Sequence, residues 1–332
     1  MTLALSVLDL SPIPSGATAS QALNNTLELA RHADKLGYHR YWLAEHHNMG
    51  GLAGSSPEIL IGQVARETKT LRVGSGGIML PNQAPLKVAE SFRTLEALFP
   101  GRIDLGIGRA PGSDPRTALA LRRGAGSEDL PEQLSDLFGF AGGGFPEGHP
   151  FASVSAAPLG VDLPPVWLLG SSDFSARVAG RLGLGFAFAQ HINPYGAHEA
   201  IDAYRAEWAH AGHAAAPRPL VTVSVIVADT DSEADTLATS MDLAWLRLAA
   251  GKFGPFPSVA EAQAHPYTFR EQMAVRESRQ KMISGSPATV RARLCALSGE
   301  LDVPEVMVTT LVHDHVARLR SYELLAEAVH GV

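Results

Sequence analysis

Apolar and polar residues alternate through short runs along this chain, and between those runs apolar positions recur at helical spacing. Strand-like runs fall at 3–10, 39–46, 71–80, 102–108, 165–170, 185–190, 220–227 and 305–311. Helical patterns occupy 20–36, 57–67, 85–98, 174–182, 196–211 and 232–248. Strands interleaved with helices predict a parallel sheet, and eight such strands favour closure into a (β/α)8 TIM barrel. A doubly wound open sheet is the alternative.

Two stretches depart from the repeat. Residues 124–163 carry AGGGFPEGHP and PLGVDLPP, poor helix material, and read as a long excursion before the fifth strand. Residues 251–284 precede a helix opened by Ser286 as N-cap and Pro287 at its first position. This segment starts GKFGPFPSVAEAQAHPYTF, rich in glycine, proline and aromatics. Loops of such length are usually functional or disordered, so a mobile loop insertion between strands seven and eight is expected to cover the barrel mouth. No repeat, low-complexity tract or linker interrupts the chain, and residues 1–332 are expected to form one domain.

Composition narrows the function classes. With 332 residues, 45% of them hydrophobic, the chain can fill a large core. A net charge of −7 argues against nucleic acid or an anionic membrane as principal partner, yet leaves room for an anionic small molecule held by one local arginine. No apolar run is long enough for a membrane span. The start, MTLALSVLDLSPIPSG, carries neither a basic leader nor a small-residue cleavage site and reads as the first strand of a cytoplasmic protein. The single cysteine, Cys295, precludes an intrachain disulfide and reads as a small buried residue of a helix.

In a barrel of this kind the chemistry gathers at the carboxyl ends of the strands. The fourth run, within GRIDLGIGRAPG, delivers Arg109 into a glycine-rich turn, where a guanidinium suits bidentate recognition of phosphate or a structural ion pair. The fifth passes through Ser171 and Ser172 into a helix with Ser175 in its first turn. A helix start binds phosphate readily, although Ser172 could also cap it. The second ends AEHHN, and strand alternation puts Trp42, Ala44 and His46 on one face, with Leu43, Glu45 and His47 on the other. Gly74, Gly76 and Gly77 in the third indicate close ligand approach, unusual peptide geometry or barrel crowding. His191, His313, Asp314 and His315 add polar groups near the rim, and Asp314 could cap the last helix.

With these residues in place, the chain resembles the bacterial-luciferase-like, flavin-dependent monooxygenase family, in its single-chain branch. The likeness runs through LDLSPI, AEHHN, VGSGGIMLPN, GRIDLGIGRAPGSDP, WLLGSS and HDHVARLRSYELLAEA, in that order. It implies a TIM barrel that takes FMN in reduced form from a separate flavin reductase, a homodimer, and oxygenation of a small organic substrate through a C4a-hydroperoxyflavin. By motif it implies Arg109, Ser171, Ser172 and Ser175 as ligands of the flavin phosphate. Gly76 and Gly77 would form a cis peptide beneath the flavin ring, and His46 would be the catalytic histidine. An imidazole titrating near neutrality could donate a hydrogen bond or shuttle a proton. Where luciferase has a reactive cysteine before that arginine, this chain has Gly108, which weakens any inference of light emission or an aldehyde substrate. Three rivals stay open: hydride transfer from the deazaflavin F420, a metal-dependent hydrolase using Glu45, His46, His191, His313 and Asp314, and a flavin-binding protein without catalysis.

Overall fold

A computed structural model describes residues 3–110, 112–122 and 130–331. Its strands are β1 (Ala4–Asp9), β2 (Arg40–Leu43), β3 (Arg72–Ser75), β4 (Ile78–Met79), β5 (Ile103–Gly108), β6 (Val166–Gly170), β7 (Gly185–Ala189), β8 (Pro219–Val227), β9 (Met282–Gly285) and β10 (Glu305–Thr309). All pairings are parallel, and the path runs β10-β1-β2-β3-β5-β6-β7-β8. Because β10 pairs with both β1 and β8, the sheet closes into an eight-stranded (β/α)8 barrel and the open-sheet alternative falls. The short β4 pairs beside β5, and β9 extends the outer edge of β8.

Strand alternation divides the side chains. Outward Leu5, Val7, Tyr41, Val73, Leu105 and Val223 pack under the helices in the main core. Inward Leu8, Trp42, Trp167, Ala187 and Met307 fill the barrel itself. Its amino end holds charge rather than hydrocarbon. Arg40 lies 2.6 Å from Asp104 and 2.9 Å from Glu305, Arg72 lies 2.7 Å from Asp104, and the Arg40 guanidinium sits 4.8 Å from the Trp167 ring centroid. At the other end the last helix, His315–His330, is tied in by Arg318, which lies 2.6 Å from Asp9. Asp314 caps that helix, accepting from Ala317 N–H at 2.8 Å.

Three sequence expectations need correction. Residues 251–284 are not a plain loop: they carry helices Val259–Ala264 and Phe269–Arg279 and run into β9. The cause is legible afterwards, since Ser258 with Glu261 and Thr268 with Glu271 are two complete capping boxes. The stretch 124–163 likewise contains helix Leu130–Phe138, whose Leu130, Leu134 and Leu137 are buried. Residues 124–129 of it lie outside the described residues. Cys295 is exposed rather than buried. In helix Pro287–Leu301 the buried positions are Val290, Leu294 and Leu301, and one residue beyond Leu294 turns the thiol away from that face. Among the described residues no helix is long and apolar enough to cross a membrane.

Candidate functional site

The carboxyl end of the barrel opens into a cavity of about 410 Å³. Arg109, Ser171, Ser172 and Ser175 line one side, and His46, Gly76 and His191 also face it. Most of the remaining wall is apolar, with Met49, Met79, Leu169, Trp245 and Phe256 among its members.

Arg109 leaves the end of β5 as an exposed guanidinium 4.5 Å from the Phe174 ring centroid. Among the described residues no carboxylate pairs with it, so the structural ion-pair reading finds no partner. Ser172 is the N-cap of helix Asp173–Leu182, yet its side chain makes no capping hydrogen bond. The opening N–H groups of that helix are therefore left for another acceptor. The neighbouring Asp173 carboxylate is engaged by Arg177 at 3.1 Å. Ser175, buried under Gly170, completes a corner that can hold an anion.

His46 is set by its strand. β2 alternation turns Ala44 and His46 inward, while Glu45 is fully buried on the other face. Glu45 accepts from Met79 N–H at 2.9 Å and lies 2.8 Å from His47 Nε2, so the second histidine braces β2 against β4. The His46 backbone N–H donates to Gly54 O at 2.9 Å, and its Nδ1 is buried without a protein partner. Burial, helped by His191 and His47 nearby, pushes its pKa down to about 4. That corrects the near-neutral proton shuttle expected from sequence: the ring is a neutral hydrogen-bonding group at pH 7.

The Gly76–Gly77 peptide is cis. A Cβ on Gly76 would overlap Leu8, and one on Gly77 would sit 2.8 Å from Gly106 O. Packing between β3 and its neighbours thus accounts for both glycines before any ligand is considered. Gly108 is similarly crowded, because a Cβ there would meet Met79 Sδ at 2.7 Å. Gly76 lines the cavity, whereas Gly77 does not.

The ligands proposed for a metal hydrolase are scattered. Glu45 serves His47, His313 Nε2 lies 3.0 Å from Ser15 O, and Asp314 caps a helix. Among the described residues no group of three such donors converges.

Sequence reasoning missed several parts of this site. Asp114, two residues past Gly112, accepts from Asn48 at 3.0 Å and from Arg116 N–H at 3.0 Å, tying the AEHHN loop to the one that carries Arg109. Of the segment 251–284 expected to cover the barrel mouth, residues 252–256 line the cavity. Phe256 exchanges backbone hydrogen bonds with Ile13 and Ser15 at 2.7 and 2.8 Å. Thr222, Ser224 and Thr309 also face the cavity. For Thr222 and Ser224 the signal, hydroxyls at every second position of VTVSV, was present in the sequence.

The sequence profile of the luciferase-like monooxygenases matches residues 3–301. The chain belongs to the luciferase-like monooxygenase family. Its relatives there include an Escherichia coli K12 protein named luciferase-like monooxygenase, 43% identical over 97% of this chain and 96% of its own length. The N-acetyl-S-alkylcysteine monooxygenase of Bacillus subtilis is 36% identical over 98% of each chain. The crystal structure of apo-MsnO8 superposes with a TM-score of 0.90 at 39% identity, covering 99% of this chain and 98% of that one.

Proposed function

We propose that this protein is an FMN-dependent monooxygenase that oxygenates a small organic substrate with O2, its reduced flavin supplied by a separate reductase. One arrangement carries the reading. An arginine without a carboxylate partner among the described residues and a helix start without a side-chain cap share a single cavity with a buried, neutral imidazole. Those residues fit the group. Arg109 offers a planar fork to a terminal phosphate, and Ser171, Ser172, Ser175 and the helix N–H groups complete a cradle. Gly76 would flank the flavin ring, with Gly77 behind it in the cis peptide. When bound, reduced FMN supplies the electrons and the chemistry with O2, one oxygen atom entering the substrate and the other leaving as water.

The protein's own part is positioning and exclusion. His46, neutral and with Nδ1 unpartnered, presents a hydrogen bond rather than a charge to whatever occupies the cavity. Met49, Met79, Leu169 and Phe256 keep the interior apolar and limit water there. The exposed position of Arg109 at the rim suits a flavin that arrives and departs as a soluble cosubstrate.

Anaerobic titration with reduced FMN and, separately, reduced F420, followed by admission of air and product analysis, tests this. Reduced FMN should bind, and air should yield an oxygenated product. Arg109→Ala should weaken FMN about 10- to 100-fold, the range expected for a charged hydrogen bond of about 1.5–3 kcal/mol, and leave riboflavin unaffected. Equal weakening of riboflavin, or binding of reduced F420 alone, would refute the assignment.

A further inference from the structure

We propose that the wall built by β7, β8 and β10 is a substrate subsite that takes a neutral carbonyl group attached to an apolar body. This rests on the monooxygenase reading above and names the substrate class of the same cavity. In β8 the valines at 221, 223 and 225 point outward into the core, while Thr222 and Ser224 point inward. Ser224 is the register partner of Thr309 on β10, so the hydroxyls of adjacent strands lie side by side. Thr222 is 4% exposed, and Ser224 and Thr309 are each 1% exposed.

These groups have hydrogen-bonding capacity to spare. Thr309 Oγ1 is buried without a partner. Ser224 Oγ reaches only the Met241 sulfur, at 3.6 Å, a weak acceptor. His191 follows β7 with Nδ1 3.3 Å from Thr222 O. Placing its proton on Nδ1 leaves Nε2 without a protein partner among the described residues. A buried polar group normally has a partner, and here a ligand would supply it.

The chemistry of that ligand follows from what the wall lacks. Met241 and Met307 are its other members, and the three strands bring no acidic or basic side chain to it apart from His191, which burial keeps neutral at pH 7. The cations Arg247 and Lys252 also line the cavity but stand on the helix after β8 and on the cover, Arg247 lying 3.5 Å from Glu261. A carboxylate or ammonium placed there would be desolvated without a counter-charge. A carbonyl oxygen, by contrast, accepts from two hydroxyls at once. Trp245, Phe256 and Leu311 bound the adjoining space and suit an alkyl or ring body. In the closed path, β8 and β10 lie across the barrel from β3 and β5, which carry Gly76 and Arg109. The hydroxyl wall is therefore opposite the cofactor corner, where a second molecule has room.

Calorimetric titration of the FMN-loaded protein with acetophenone, toluene and benzoate tests the proposal. Acetophenone should bind more tightly than benzoate. Thr309→Val, which keeps the shape, should weaken acetophenone about fivefold, the worth of one neutral hydrogen bond, and leave toluene unchanged. Ser224→Ala should act in the same direction, and neither change should lower the melting temperature of the ligand-free protein. An unchanged acetophenone affinity, equal weakening of toluene, or a melting temperature several degrees lower in T309V would overturn the subsite. So would a loss of FMN affinity in T309V with acetophenone unaffected, which would give the hydroxyls to the cofactor. Should the wild type not bind FMN, the function proposed above fails, and the same titrations on flavin-free protein still decide the subsite.

Discussion

Acidification from pH 7 should weaken this fold through buried imidazoles, two of which border the cavity. His46 and His191 are both pushed from 6.5 to about 4, chiefly by burial. In the unfolded chain each ring takes up a proton near pH 6.5, whereas in the native state it does so only near pH 4. Between those values the unfolded state binds more protons, so stability falls as pH falls, and the loss is complete once both states are protonated. At about 1.4 kcal/mol per pH unit, the span from 6.5 to about 4 sets a ceiling of about 3 kcal/mol per ring. Both rings border a cavity open to water, which screens part of this, and about 2 kcal/mol each is the expected size. Asp9 belongs to a different window. Its burial, which would raise the pKa, is outweighed by Arg318 and by hydrogen bonds from Tyr41 and Ser11, so its contribution disappears only below its unfolded value of 3.8. Urea unfolding at half-unit steps from pH 8 to 4 measures the effect. His46→Asn combined with His191→Asn should reduce the slope between pH 6.5 and 4, the remainder coming from His39 and His315, which burial also lowers. A double variant whose profile keeps the wild-type slope would refute the burial argument.

Two further outcomes concern the scaffold. Arg318→Met should destabilise by about 3–5 kcal/mol in urea unfolding at pH 7, because Asp9 is fully buried and loses its counter-charge. Adding Asp9→Asn should recover part of that loss, since the two sites are coupled. Gly74→Ala places a Cβ 2.5 Å from Asp104 O and 2.8 Å from Asp104 Cβ, in strands that cannot separate without breaking the barrel. A loss of about 1–3 kcal/mol is expected, with denaturant midpoint as the measure.

The barrel was legible because its strands and helices obey their own periods, and eight alternations leave few ways to close. Strand ends were less so: the run at 71–80 is split by Gly76–Gly77 into β3 and β4, which composition does not announce. Arg109, Ser171, Ser172, Ser175 and His46 were singled out by residue type at the strand ends and by the resemblance, with alternation along β2 giving His46 its face, and all five line one cavity. The hydroxyl wall escaped because threonine and serine in a valine-rich strand look like ordinary β formers. Helices Val259–Ala264 and Phe269–Arg279 were passed over for a different reason. The prolines and glycines around them drew the eye, while the two S/T-x-x-E spacings that nucleate them did not. Cys295 shows the limit of reading a helix without its neighbours, since which face is buried depends on what it packs against.

The two ends of the barrel divide the work. Arg40, Arg72, Asp104 and Glu305 form a layer of paired charges at the amino end, stacked against Trp167. A ligand has no passage through that layer that does not strip the pairing from buried ions. Entry must come from the carboxyl end, where residues 252–256 cross from β8 towards the loops after β1 and β2. That crossing is held by the two backbone hydrogen bonds of Phe256 and by Glu261, which accepts from Ser15 Oγ and from Ser258 N–H. Those bonds pull the Glu261 carboxyl down to about 2, so it stays ionised and engaged across the working pH range. Among the described residues the side towards β5 and β6 has no comparable cover, and there Arg109 stands exposed at the rim. On the monooxygenase function proposed above, a phosphate-bearing cofactor would dock on the Arg109 side and the substrate would sit beneath residues 252–256, an asymmetry set by which loops those residues reach.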